Sequence, residues 1–124
     1  MTAHPVHVAI LDDDPSIRTA LYRLLESVEM DAHTYETSDQ LFEAIALKRF
    51  DCLLLDLEMP GMSGLDVLHC LRKRHIRIPT IVMTGHDGAG SYSACLNAGA
   101  IAALRKPLDA DQLVQTIENV CAAS

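Results

Sequence analysis

A regular alternation of two residue patterns constrains the fold of this chain more than any other feature of its sequence. Short apolar runs at 6–11, 52–55, 80–84 and 101–104, with a more polar run at 32–36, have the length and residue types of β-strands. After each run, apolar residues recur every three or four positions, which is the spacing of one face of an α-helix. The sequence therefore predicts strands that alternate with helices, five of each.

Strands that are apolar over nearly their whole length belong in a parallel sheet that helices cover on both faces. We predict an α/β fold, a doubly wound (βα)5 three-layer sandwich with the flavodoxin-like strand order 2-1-3-4-5 and the polar second strand at an edge. The length of 124 residues fits a single domain, 1–124. The ligand site of such a sheet lies beyond the carboxyl ends of its strands.

Polar and charged residues stand directly after the central strands of the predicted sheet. Asp12 and Asp13 follow the first strand, Asp56 the third, Thr84 the fourth and Lys106 the fifth. The carboxyl ends of neighbouring parallel strands lie at the same edge of a sheet. We therefore expect these side chains to converge at one end of the molecule.

Three carboxylates in one crevice raise each other's pKa values unless a cation joins them. Oxygen ligands without nitrogen or sulfur favour Mg²⁺, with Mn²⁺ as the alternative. A metal ion and Lys106 beside the carboxylate of Asp56 are the parts that phosphoryl transfer to a nucleophile requires. The hydroxyl of Thr84 could then donate a hydrogen bond to a phosphoryl oxygen. Taken singly, each of these residues has an ordinary structural explanation, such as a helix cap or a surface lysine.

Composition and charge favour a soluble cytoplasmic protein and argue against two classes of partner. The formal net charge is −7, and the one basic run, at 72–77, falls where a helix is expected to end, so direct nucleic-acid binding is disfavoured. The apolar runs are far too short to span a membrane, and the amino terminus does not look like a signal peptide. The four cysteines are widely separated, which is typical of core residues in a reducing compartment. The six histidines lack metal-ligand spacing.

Four motifs in this order resemble those of the response-regulator receiver family. They are VAILDDD at the first strand, LLLDLEMPGMSG around Asp56, PTIVMTGH around Thr84, and NAGA followed by RKP at Lys106. The resemblance runs from about residue 6 to residue 120, and the run after Asp56 is the most specific part. It implies a domain of a two-component signalling system.

The resemblance also implies roles for individual residues in phosphoryl transfer. Asp56 is similar to the phosphoacceptor, Thr84 to the switch hydroxyl and Lys106 to the phosphate-binding lysine, whose bond to Pro107 is expected to be cis. The phosphodonor would be a phosphohistidine on a sensor histidine kinase or a phosphotransfer protein. Such a domain catalyses its own phosphoryl transfer and dephosphorylation but is not a conventional turnover enzyme.

Metal ligands are implied in the same way. Asp13 matches the acidic residue that binds the ion directly, and Asp12 matches the one that acts mainly through water. Asp56 itself and the backbone carbonyl of Glu58 complete the implied ligand set for Mg²⁺. Glu58 and His86 also occupy two positions that often tune dephosphorylation, although both residues could equally be solvated rim residues.

One departure from the family pattern concerns signal propagation. Many receivers carry an aromatic residue three positions before the lysine, where this chain has Ala103, and Leu108 follows Pro107 in place of phenylalanine. An aromatic rotamer switch cannot operate with alanine, so the route by which phosphorylation would reach the surface stays open. The cognate kinase, the downstream protein or C-terminal output domain, and phosphorylation-dependent dimerisation are open as well.

Three other interpretations compete with a phosphorylated receiver. A haloacid-dehalogenase-type phosphatase also uses an aspartate after an apolar strand, but Pro60 stands where its motif requires Thr or Val. The glycine-containing stretch 85–90 lacks the lysine of a P-loop, and we interpret it as a flexible loop before a weak helix whose order changes on activation. A receiver-like interaction module that works without phosphorylation is the remaining alternative.

Overall fold

A computed structural model describes residues 5–85 and 89–122 of the chain. The strands are β1 (His7–Leu11), β2 (Asp31–Tyr35), β3 (Cys52–Asp56), β4 (Thr80–Thr84) and β5 (Ala102–Arg105). The helices are α1 (Pro15–Ser27), α2 (Ser38–Leu47), α3 (Gly64–Lys73), α4 (Ala89–Asn97) and α5 (Ala110–Ala122). Strands and helices alternate as the apolar pattern predicts, and every strand boundary lies within one residue of its predicted position.

The strands form one parallel sheet in the order β2-β1-β3-β4-β5. The predicted α/β architecture and strand order are therefore confirmed. β1 lies between β2 and β3, so that Val8 is level with Ala32 on one side and with Cys52 on the other. The polar strand β2 is at one edge, where its partly exposed side chains cost least.

Helices cover the sheet on both faces and create two separate cores. On one face Leu41 of α2, Leu68 of α3 and Cys95 of α4 pack on alternate residues of the central strands. On the other face Leu25 of α1 and Leu113 of α5 pack on the remaining residues. All five residues of β3 are buried. β3 therefore ends in a carboxylate that is itself buried, that of Asp56.

Capping residues fix the first turns of α1 and α3, the helices that follow the loops at the carboxyl ends of β1 and β3. The Asp14 side chain accepts a hydrogen bond from the Ser16 amide (2.8 Å), and Pro15 occupies the first turn of α1. Ser63 and Asp66 form a reciprocal capping box at the start of α3. These caps end the loops after β1 and β3 at Asp14 and Ser63.

The four cysteines are free, with Cys52 and Cys95 buried and Cys70 and Cys121 half-buried.

Within residues 5–85 and 89–122, every helix is too short or too polar to cross a lipid bilayer. The basic run falls at the end of α3, where Arg72 and Lys73 lie in the last turn. Their positive charges interact favourably with the negative end of the helix dipole.

Candidate acidic pocket at the carboxyl ends of the strands

The residues that follow the central strands come together at one end of the sheet, where these strands have their carboxyl ends. Asp12 and Asp13 stand directly after β1, Asp56 ends β3, Thr84 ends β4, and Lys106 directly follows β5. One carboxylate oxygen from each of the three aspartates lies within 4.8 Å of the other two. Asp12 and Asp56 are buried, whereas Asp13 is exposed to solvent. The structure thus brings the carboxylates into a single pocket that opens at Asp13.

Lys106 bridges the two buried carboxylates. Its Nζ lies 3.1 Å from Oδ2 of Asp12 and 3.1 Å from Oδ1 of Asp56. The backbone amide of Lys106 donates a hydrogen bond to the Thr84 carbonyl (2.7 Å), and the Lys106–Pro107 peptide bond is cis, as the resemblance implies. The lysine is therefore fixed at its backbone while its ammonium group spans the pocket. One cation against three carboxylates leaves an excess of negative charge.

Burial and neighbouring charges shift the proton affinities in this pocket. Desolvation raises the pKa of Asp56 to about 6, and the negative charge of Asp12 adds to this effect. Hydrogen bonds from the Glu58 amide and from Lys106 oppose the rise. Burial alone would lower the pKa of Lys106, but its hydrogen bonds to Asp56 and Asp12 outweigh burial and raise it. The Asp56 carboxylate is thus kept ionised at neutral pH at a cost in free energy.

Backbone amides hold the carboxylates in place, and one arginine holds the main chain at Asp12. The Glu58 amide donates to Oδ1 of Asp56 (3.2 Å), and the Asp14 amide donates to Oδ1 of Asp12 (2.9 Å). Arg18, on the first turns of α1, donates to the Asp12 carbonyl (2.8 Å). We did not anticipate this clamp from the sequence, although Arg18 stands one helical turn after the cap and could have been noticed there.

Glu58 connects the loops that follow β3 and β4. Its Oε1 accepts a hydrogen bond from the Gly85 amide (2.9 Å), a contact that sequence reasoning missed. The metal-binding role of the Glu58 backbone carbonyl stays a prediction. His86, the second residue of the tuning hypothesis, lies outside the described residues, as do positions 87 and 88 of the proposed flexible loop.

Gly64, the first residue of α3, packs directly on the backbone at the end of β3. Its amide donates to the Leu57 carbonyl (3.0 Å). A Cβ at this position would lie 2.7 Å from the Asp56 carbonyl oxygen and 2.7 Å from the Leu57 Cα. Because both atoms belong to the main chain, they can only yield if the Asp56 loop moves. The glycine therefore determines how closely α3 approaches the acidic pocket.

We expect Gly64→Ala to destabilise the protein by about 1–3 kcal/mol, the usual cost of overpacking a close contact. Urea unfolding of the variant and the wild type measures this difference. Gly61→Asn, in the loop before α3, is the control for the steric contact, because a Cβ at position 61 meets nothing within 4 Å and asparagine adopts a positive φ more readily than most residues; it should lose less stability than Gly64→Ala. Equal stability of Gly64→Ala and the wild type would show that the contact is not restrictive.

A five-stranded parallel sheet in this order, with three aspartates and a lysine at its carboxyl edge, is the architecture of a receiver-type α/β domain. Comparison with protein families agrees: the signature of the response regulator receiver domain matches residues 8–118. The chain belongs to the response regulator receiver family.

Curated relatives are longer than this chain. The DNA-binding transcriptional regulator NtrC of Escherichia coli K12 is 39% identical over 111 residues, which are 90% of this chain and 24% of NtrC. The transcriptional regulatory protein FixJ of Bradyrhizobium diazoefficiens is 28% identical over 113 residues, 91% of this chain and 55% of FixJ. The chain thus spans about a quarter of the first relative and about half of the second.

Solved structures of receiver domains have the same fold. The crystal structure of FixJ-N aligns with a TM-score of 0.89 at 28% identity and covers 96% of this chain and 95% of that one. A response regulator receiver protein from Burkholderia phymatum aligns with a TM-score of 0.83 at 37% identity, covering 94% and 95%. The backbone described above is therefore that of known receiver domains nearly throughout.

Proposed function

We propose that this chain is the phosphoacceptor receiver of a two-component system, which takes a phosphoryl group from a phosphohistidine onto Asp56. The observation that carries the proposal is the geometry of the pocket. Three carboxylates lie within 4.8 Å of one another, and the Lys106 ammonium lies 3.1 Å from two of them. A nucleophilic carboxylate, a site for a divalent cation and a fixed positive charge are the parts that this transfer needs.

The donor set of the pocket fits Mg²⁺, because all of its ligand atoms are hard oxygens. Asp12, Asp13, Asp56 and the backbone carbonyl of Glu58 would hold the ion, with Mn²⁺ as an alternative. When bound, Mg²⁺ neutralises negative charge on the phosphoryl oxygens as it develops. The exposure of Asp13 lets the ion and its waters enter from solvent.

The Asp56 side chain has one oxygen available for attack. Among the described residues, both hydrogen bonds to Asp56 go to Oδ1, from Lys106 and from the Glu58 amide. Oδ2 then forms the new O–P bond while the N–P bond of the phosphohistidine breaks and the imidazole leaves. Lys106 keeps its hold on Asp12 and is near enough to pair with a phosphoryl oxygen. The Thr84 hydroxyl, at the end of β4, donates to another.

Signal output follows a different route from that of receivers with an aromatic switch. Ala103 of β5 lies level with Val82 of β4, and its methyl group has no rotamer to change. We propose that phosphorylation acts through Thr84 and the loop joining β4 to α4. Glu58 contacts that loop through Gly85, so it is placed to couple the acceptor to the change.

The partners we propose follow from this chemistry. A sensor histidine kinase or phosphotransfer protein supplies the phosphoryl group, and a downstream protein or an output domain receives the signal. Relatives such as NtrC are named as DNA-binding regulators and extend well beyond the region matched here. We assign no nucleic-acid binding to this domain itself. The four free cysteines fit a reducing, cytoplasmic setting.

We expect the wild-type protein to gain one phosphoryl group when it is incubated with acetyl phosphate and Mg²⁺, as measured by intact mass. EDTA should prevent the gain, because Lys106 alone cannot offset the repulsion between three carboxylates and the incoming phosphate. Beryllofluoride with Mg²⁺ should bind as a phosphate mimic. The absence of an adduct together with the absence of Mg²⁺ binding would instead support a receiver-like interaction module that works without phosphorylation.

A further inference from the structure

A second cluster of ionisable side chains lies at the opposite end of the sheet from the acidic pocket. His7 begins β1, Asp31 begins β2, and these two residues are level with each other in the parallel pair. His33 lies two residues further along β2, so its side chain points to the same face as that of Asp31. Strand register thus brings His7 next to two residues of β2 that follow it by 24 and 26 positions in the sequence.

The ligand atoms of this cluster face one another closely. His7 Nδ1 lies 3.0 Å from Asp31 Oδ2, and His33 Nε2 lies 3.5 Å from the same oxygen. One atom from each of the three residues lies within 4.8 Å of the others. Tetrahedral Zn²⁺ with nitrogen and oxygen ligands places its donor atoms roughly 3.4 Å apart. The two distances bracket that value.

His33 has a ring nitrogen in a state that an ion pair does not explain. Its Nε2 is buried, yet it makes no hydrogen bond with any residue in the described part of the chain. The pair between His7 and Asp31 satisfies those two residues, whereas the 3.5 Å approach of His33 Nε2 to the same Asp31 oxygen is not a hydrogen bond and leaves this nitrogen unsatisfied at a cost in free energy. A metal ion at the centre of the cluster would satisfy all three groups at once.

Neighbouring residues hold the two imidazoles in position. The Phe50 ring meets the His33 ring edge-on, with centroids 5.5 Å apart at 71°. The backbone amide of His7 donates to Oδ2 of Asp51 (2.8 Å), which fixes the start of β1. The rings of His7 and His33 are 5.9 Å apart. Little rearrangement is then needed for these side chains to bind an ion.

We propose that His7, Asp31 and His33 form a binding site for one Zn²⁺ ion at the amino ends of β1 and β2. Two imidazole nitrogens and one carboxylate oxygen suit Zn²⁺ and disfavour Mg²⁺, which prefers oxygen ligands alone. The three side chains are only partly buried, so water can take the fourth position. The two ends of the sheet therefore select different cations.

Isothermal titration with Zn²⁺ tests the site, with excess Mg²⁺ present to occupy the acidic pocket. We expect one ion per chain, and at least about tenfold weaker binding by His33→Asn and by Asp31→Asn, since even residues behind metal ligands contribute this much. His69→Asn, which alters an exposed histidine on α3, should bind as the wild type does. Asp13→Asn should also bind normally, because it changes only the acidic pocket.

Cobalt substitution supplies an independent readout if a variant folds poorly. Co²⁺ bound by the wild type should give the intense visible absorption of tetrahedral coordination, and excess Zn²⁺ should abolish it. His7→Gln, at a partly exposed position, serves as a further variant and should reduce that absorption. The proposal is overturned if Zn²⁺ does not bind, if binding is lost in Asp13→Asn but kept in His33→Asn, or if the Co²⁺ spectrum is that of an octahedral ion.

Discussion

Asp56→Asn is expected to abolish phosphorylation of this protein by acetyl phosphate in the presence of Mg²⁺. An amide oxygen is a poor nucleophile and carries no charge, so the O–P bond does not form, although Asn keeps the shape of the side chain. Lys106 can still donate to the amide oxygen, so the pocket should remain intact. Intact mass measurements should show a phosphoryl adduct on the wild type and none on the variant.

Asp39→Asn is the matched control for this experiment. It removes one carboxylate of the same size from the exposed first turn of α2, after the edge strand β2, and Asp39 is not one of the three clustered aspartates. Its phosphorylation should equal that of the wild type. A phosphoryl group that still attaches to Asp56→Asn at the wild-type rate would show that another residue is the acceptor.

The same substitution is expected to stabilise the metal-free protein at neutral pH by up to about 3 kcal/mol. Folding raises the pKa of Asp56 from 3.8 to about 6, so the folded state binds more protons than the unfolded state between these values. The free energy of unfolding of the wild type should then fall as the pH rises from about 4 to about 6, and stay low above that range. Asn does not ionise in this range, and the variant should lack this loss.

Urea unfolding in EDTA at a series of pH values measures the effect. The difference between Asp56→Asn and the wild type should be largest at neutral pH and should vanish near pH 4. Added Mg²⁺ should stabilise the wild type more than the variant, because binding to the folded state adds to its stability. Parallel pH profiles for the two proteins would mean that burial of this carboxylate costs little.

The fold was predictable because its determinants are local patterns joined by few topological rules. β3 is an uninterrupted apolar run that can only be buried on both faces, and right-handed crossovers then restrict the strand order. The edge position of β2 followed from its polar residues. The ends of β2 and β5 shifted by one residue from prediction, since strand ends depend on hydrogen bonds to the neighbouring strand.

The membership of the acidic pocket was predictable, but its detailed geometry was not. Strand order alone places Asp12, Asp56 and Lys106 at the same edge. The distances among them depend on loop packing, such as the close approach of Gly64 to the β3 backbone and the contact of Glu58 with Gly85. These contacts join residues whose proximity no periodicity encodes.

The histidine cluster shows a stricter limit of sequence reasoning. Asp31 and His33 are two positions apart on β2, but His7 precedes Asp31 by 24 positions, and only the register of β1 with β2 makes the three residues neighbours. Spacing rules detect ligands carried by one element or one loop. A site assembled across two strands becomes visible only when the register is known.

Lys106, which spans the acidic pocket, makes the folding of this domain less dependent on Mg²⁺. With an ammonium group already 3.1 Å from both buried carboxylates, part of their repulsion is relieved before any divalent cation arrives. Under the proposed mechanism, the domain would therefore be folded but not phosphorylated in a magnesium-poor cell. The supply of the ion would then govern whether a signal is received, while the protein stays folded.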